Sequence, residues 1–137
     1  TRVRMKNPGE RIKKGESFLS LVQQGKMLEI KSPVSGIIAE QNGGLLDDSS
    51  MINTEPYSGG WVYVVEPQNW ISELKTYFMG QPYTDWLKTE AVRLKDFFTK
   101  ETTLVMQDGG EIRGTILEAF GPEVWEEFQE GFIDKVK

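Results

Sequence analysis

The stretch Val22-Gln23-Gln24-Gly25-Lys26-Met27-Leu28-Glu29-Ile30-Lys31-Ser32-Pro33-Val34-Ser35-Gly36 decides how this chain folds. It follows Ser17-Phe18-Leu19-Ser20-Leu21-Val22, a short apolar-rich run that opens after Gly15 and reads as a strand. Gln23-Gln24-Gly25 is too polar to continue a core strand, and Met27 to Lys31 reads as the return strand. The two runs form a hairpin, with Gly25 supplying the positive φ that a tight turn demands. In the return strand Leu28 and Ile30 share one face, while Met27, Glu29 and Lys31 share the other. Ser32-Pro33-Val34-Ser35-Gly36 then breaks the chain as a turn.

Outward from this hairpin the same grammar repeats. Asn7-Pro8-Gly9 and Lys13-Lys14-Gly15 are turn clusters, Ile37 to Glu40 is a strand, and Asn42-Gly43-Gly44 is a loop. Trp61 to Val65 is aromatic or β-branched throughout and is predicted as a strand. Short strands at close intervals across residues 1–66 imply a small barrel or sandwich. From Pro67 the apolar period lengthens. Ile71, Leu74 and Phe78 fall at helical spacing, Gly80-Gln81-Pro82 interrupts, and Leu87, Ala91, Leu94 and Phe98 form a second helix behind Thr84 and Asp85 as N-caps. Leu104 to Gln107 and Ile112 to Leu117 flank Asp108-Gly109-Gly110 as a hairpin. A last helix opens at Gly121-Pro122 and aligns Trp125, Phe128, Phe132 and Val136 in one apolar stripe. Such a short helix must dock on something, and the hairpin just before it is the expected dock. The chain is thus mainly β over residues 1–66, with a small α+β extension over 67–137 packed on it.

Chemistry is bounded by what the 137 residues lack. Neither cysteine nor histidine occurs, which removes disulfides, thiolate nucleophiles, imidazole bases and metal sites built on those side chains. The net charge of −5 is unevenly spread, with six basic and two acidic residues in 1–20 against three basic and nine acidic in 101–137. That polarity disfavours nucleic acid, because the short basic start has no aromatic platform beside it. No stretch approaches the roughly 18 apolar residues of a membrane span. Asp47-Asp48 with Glu55 offers oxygen ligands without the spacing of an EF-hand. Glu126, Glu127 and Glu130 read as a solvated acidic face, Lys13-Lys14-Gly15 lacks the glycine spacing of a phosphate loop, and Ser35 lacks an activating base. No catalytic residue and no metal ligand set emerges.

Residues 8–66 do resemble the glycine cleavage system H protein family, whose fold is the biotinyl/lipoyl barrel-sandwich hybrid. The resemblance is carried by Pro8-Gly9, Lys13-Lys14-Gly15-Glu16, Glu29-Ile30, Ser32-Pro33-Val34-Ser35-Gly36, Asn42, Leu45 and Asp47. Its most specific part is Ile52-Asn53-Thr54-Glu55-Pro56-Tyr57-Ser58-Gly59-Gly60-Trp61, against the family pattern Ile-Asn-x-x-Pro-Tyr-Gly-x-Gly-Trp. The resemblance implies a flattened barrel of two antiparallel halves that presents a lipoylated lysine at a hairpin tip. In that family the arm shuttles an aminomethyl group between a decarboxylase, an aminomethyltransferase and a lipoamide dehydrogenase, so the carrier itself needs no acid–base residues.

Two departures redirect the functional expectation. The family's lysine lies seven residues before the serine of Ser-Pro-Val-Ser-Gly, which here is Gly25, with Lys26 next to it. The family's Glu-Ser-Val-Lys approach is replaced by Val22-Gln23-Gln24-Gly25. At the ends, the family's Glu-His-x-Trp and Gly-Ile-Thr segments are missing before Thr1, pointing to a trimmed chain, and after a stretch at 68–78 comparable to the family's short closing helix about 60 residues follow that match nothing in the family. The expected function is a non-catalytic binding or adaptor module related to the glycine cleavage system, without the usual lipoyl lysine. It has no cofactor, protein partners that include glycine cleavage enzymes, and no nucleic-acid or membrane partner; without an export signal, it is expected in the cytoplasm. The alternative is a lipoyl carrier in glycine cleavage, or related one-carbon or acyl transfer, with lipoate on Lys26.

Overall fold

The computed structural model describes residues 1–105 and 116–135. Six strands form two three-stranded antiparallel sheets. The first has the order β1-β3-β4, with β1 at Arg2–Met5, β3 at Ser17–Gln23 and β4 at Lys26–Lys31. The second has the order β2-β5-β6, with β2 at Arg11–Ile12, β5 at Gly36–Gln41 and β6 at Tyr63–Pro67. This is the barrel-sandwich class read from the sequence. Its core gathers Val3, Ile12, Leu19, Leu28, Ile38 and Leu45, with Ile38 and Leu45 fully enclosed. Each such side chain stabilises the fold by about 1.5–3 kcal/mol relative to exposure.

One side chain ties the sheets together. The Tyr63 hydroxyl on β6 donates to the Phe18 carbonyl of β3 at 2.8 Å and accepts from the Lys6 N–H at 2.6 Å. Its ring lies 5.4 Å from that of Phe18. Burial raises the Tyr63 pKa above its ordinary value of 10.0, more than the Lys6 N–H lowers it.

Strand β6 starts two residues later than the composition of Trp61–Val65 predicts. Asn42 is the cause. Its side-chain amide donates to the Gly59 and Trp61 carbonyls at 2.8 and 2.7 Å, and its N–H donates to the Val62 carbonyl at 2.9 Å. Groups that would enter a ladder are thereby held in a loop. Two one-turn helices, α1 at Gly44–Asp47 and α2 at Met51–Thr54, fill the connection between β5 and β6.

Past β6 the helices differ from the predicted periods. Helix α3 is only Trp70–Leu74, and it exposes Ile71 (81%) while burying Glu73 (8%), the reverse of the apolar reading. Helix α4 runs unbroken over Gln81–Val105. Pro82 does not interrupt it, because proline in a first turn removes an N–H that has no helical partner anyway. Thr84 is thus inside the helix rather than capping it, and its hydroxyl donates to the Gly80 carbonyl at 3.2 Å. Leu104-Val105, predicted as strand, end this helix, and Ile116–Ala119, partly predicted as strand, is a 3-10 turn. The tip of that predicted hairpin, Asp108-Gly109-Gly110, lies outside the described residues. Helix α5, Pro122–Phe128, begins at Gly121-Pro122 as predicted and continues as a π-helical turn over Gln129–Ile133.

The chain divides into two compact units. One is Thr1–Lys75 with Gly121–Lys137, which joins both sheets and α5; the other is Thr76–Phe120, which holds α4.

Candidate functional site

The β3–β4 hairpin turns on two residues, because Gln23 pairs directly with Lys26. Gln24 (φ 50°) and Gly25 (φ 78°) both take left-handed backbone, the mark of a type I′ turn whose twist matches its strands. Both are exposed at the tip. A Cβ on Gly25 would meet nothing within 4 Å, so the backbone conformation, not space, is what glycine satisfies here.

Lys26 is the first residue of β4, and its parity places it on the face of Leu28 and Ile30. Only 7% of it is exposed, and its ammonium lies 5.1 Å from the centre of the Trp125 ring. That distance is a cation–π contact. The sequence put Lys26 beside the apex; in the fold its amine is turned in against α5.

Helix α5 and the turn after it lie along β4, which is the edge of its sheet. Gln129 makes the central contact. Its carbonyl accepts the Glu29 N–H at 2.7 Å and its amide donates to the Glu29 carbonyl at 2.8 Å, so one side chain does what a neighbouring strand's peptide would do. Asp134 accepts a further bond from Gln129 at 2.8 Å and lies 3.5 Å from the Lys31 ammonium. Trp125 is buried, and Phe128 stacks on Phe132 at 5.2 Å. Of the apolar stripe read from the sequence, Trp125 packs on β4 and Phe128 and Phe132 on each other, while Val136 and most of the hairpin expected as the dock lie outside the described residues. A groove of about 400 Å³ remains between the two, lined by Gly25, Lys26, Met27, Trp125, Glu126 and Gln129 among others.

The Ser-Pro-Val-Ser-Gly turn serves the architecture. The Ser32 hydroxyl donates to the Val34 carbonyl at 2.7 Å, and the Ser35 hydroxyl accepts the Lys14 N–H at 3.0 Å. Ser35 N–H donates to the Glu73 carboxylate at 2.9 Å. Bonds from the Ser35 hydroxyl and N–H, with help from the Lys14 charge, hold the Glu73 carboxyl below its usual value of 4.5. Such a carboxylate is a weak base, and it acts here as a clasp between turn and helix. A Cβ on Gly36 would collide with the Glu66 carbonyl of β6, so this glycine permits the close approach of two strands. Sequence reasoning missed Glu73. Its only signal was an acidic residue amid an apolar helical stripe.

The remaining candidates stay apart. Asp48 accepts the Ser50 N–H and hydroxyl at 3.1 and 2.5 Å as a local turn. Glu126 and Glu130 border the groove. No group of three or more acidic side chains among the described residues is placed to hold a metal ion. No helix among them is long and apolar enough to cross a membrane.

Paired three-stranded sheets that present a glycine-tipped turn define a small β barrel-sandwich domain built around that turn. The family model described as glycine cleavage H-protein matches residues 1–90, and the chain belongs to that family. It is 33% identical over 87 residues to the probable glycine cleavage system H protein of Pyrococcus abyssi, covering 64% of each chain. Against glycine cleavage system H protein 2 of Aquifex aeolicus it is 31% identical over 120 residues, 86% of this chain and 66% of the other. Against the mitochondrial glycine cleavage system H protein of Pisum sativum it is 30% identical over 88 residues, covering 64% of this chain and 53% of the other. A crystal structure of the H protein from Mycobacterium marinum is similar over 50% of this chain and 54% of that one, with 34% identity and a TM-score of 0.47. The chain thus spans about two thirds or less of the length of these relatives. The likeness also runs past the stretch at 68–78, where the sequence reading ended it, and the residues that follow are not wholly foreign to the family.

Proposed function

We propose that this family member is a non-catalytic binding scaffold that works without the lipoyl arm. The observation that carries the reading is the hairpin tip: Gln24 and Gly25 offer no amine, and the adjacent Lys26 is buried against Trp125. An arm swings between active sites only if its anchor projects freely, since tethering works through the volume the arm can sweep. A lysine at 7% exposure does not project. The absence of histidine and cysteine fits a protein that positions others rather than reacting itself. No cofactor is assigned to it.

Its partners are proteins, with glycine cleavage enzymes as the first candidates because relatives carry that system's name. Tyr57, Trp61 and Trp70 are exposed in the unit that bears the hairpin, and aromatic residues of this kind are enriched at protein interfaces. The alternative, a carrier that uses Lys26, rests on that residue's place one step from the apex. Co-expression with a lipoate ligase and lipoate, followed by intact mass, separates the two. The adaptor reading expects no lipoyl increment; an increment that vanishes in Lys26→Ala overturns it.

A further inference from the structure

Lys26 is the amine nearest the hairpin tip, yet what covers it is a segment about a hundred residues away in sequence. We infer that residues 121–135 are a closed strap over β4 that withholds the Lys26 amine from acylation, and that release of the strap is what makes this amine reactive. The inference goes beyond the adaptor reading, because it concerns the chemical reactivity of Lys26 whether or not any ligase recognises the hairpin.

Beside the buried Trp125, polar contacts at the protein surface hold the strap to β4. Gln129 grips both backbone groups of Glu29, Asp134 reaches Lys31, and Trp125 lies across the Lys26 ammonium. The side chains of Lys31 and Asp134 are 29% and 41% exposed, so water screens their attraction. A groove of about 400 Å³ already separates parts of the two surfaces. Segments fixed in this way open locally at far less cost than the whole fold. On release, water takes the place of Gln129 at Glu29, and the long Lys26 stem carries its amine out to solvent.

The step that the strap blocks is ordinary acyl transfer. The ammonium first gives a proton to buffer, and the neutral amine attacks the acyl carbon of an activated ester. The amide C–N bond forms as the bond to the leaving alkoxide or thiolate breaks, and the second amine proton passes through water to that leaving group, which departs as the alcohol or thiol. In the closed form the Trp125 indole covers the approach.

The test is competitive labelling of the full chain with acetyl N-hydroxysuccinimide, read residue by residue by mass spectrometry. In the native chain Lys26 is expected to react about tenfold or more slowly than exposed Lys13 and Lys75, as a group reached only through local opening does. Gln129→Ala and Trp125→Ala are each expected to raise its rate about fivefold or more, with Lys13 and Lys75 unchanged. Hydrogen exchange at the Leu28 and Ile38 amides checks that each variant keeps its sheets, and the conclusion is drawn from whichever variant does. The strap is overturned if Lys26 keeps pace with Lys13 in the native chain. It is equally overturned if Lys26 is slow there and a folded variant leaves it slow. Failure here leaves the ligase result of the adaptor reading untouched, and the reverse also holds.

Discussion

Tyr63 and Glu73 each join parts of the chain that are distant in sequence, and Gly60 closes a tight loop on Met51 and Glu55. The Tyr63 hydroxyl is shared between Phe18 and Lys6, so Tyr63→Phe leaves the Lys6 N–H without its acceptor. The expected loss is about 1–3 kcal/mol by urea denaturation at neutral pH. Because the folded pKa of Tyr63 is raised above 10.0, its contribution is complete below that pH and is lost as pH rises through the folded value. Glu73 has the opposite sign. Its folded pKa is depressed below 4.5, so its contribution is present above pH 4.5 and is lost as pH falls through the folded value. Glu73→Gln should therefore narrow the stability gap between pH 7 and pH 3, measured by the same denaturation. Gly60 is buried, and a Cβ there would collide with the Met51 and Glu55 carbonyl oxygens. Gly60→Ala is expected to destabilise by about 1–3 kcal/mol. The glycines of the Pro-Val-Ser-Gly and Gly-Gly-Trp motifs were visible in the sequence as motif letters. Their reason is close backbone approach, to the distant Glu66 for Gly36 and within its own loop, to Met51 and Glu55, for Gly60.

At the scale of elements, the hairpin was the most legible part of the chain. Alternation placed β3 and β4, and the glycine at the tip announced a left-handed turn, which φ 78° at Gly25 matches. The same alternation carried the inward facing of Lys26, since it falls two residues before Leu28. Helix starts were less legible. Pro82 reads equally well as a stop and as a first-turn residue, and only the continuous α4 decides between them. The orientation of α3 was hidden because the Ser35 bonds to Glu73 outweigh the apolar stripe beside it. Helix α5 was placed correctly by Gly121-Pro122 and its aromatic stripe, but its dock was not readable, because nothing local ties Gln129 to Glu29. Trp125→Ala removes a buried aromatic from that dock and is expected to cost about 3 kcal/mol at most, less than in a closed core, because the groove beside it admits water.

For the whole molecule, family membership and the hairpin tip pull in different directions. The chain belongs to the glycine cleavage H-protein family, while its hairpin tip is Gln24-Gly25 and the lysine beside it is buried. The charge polarity read from the sequence follows this division. Three basic side chains, Arg2, Arg4 and Lys6, belong to or adjoin β1, and acidic residues of α5 border the groove at the hairpin. Acidic side chains of the strap thus lie beside the tip, within the same compact unit as both sheets.

The most direct measurement is intact mass after co-expression with a lipoate ligase and lipoate, run in parallel on the native chain and on Gly25→Lys. The substitution puts an amine at the tip, where an added Cβ meets no neighbour within 4 Å and the left-handed backbone costs about 1 kcal/mol. The expected result is no lipoyl increment on the native chain and an increment on Gly25→Lys. A lipoyl increment on the native chain that disappears in Lys26→Ala would contradict the arm-free scaffold.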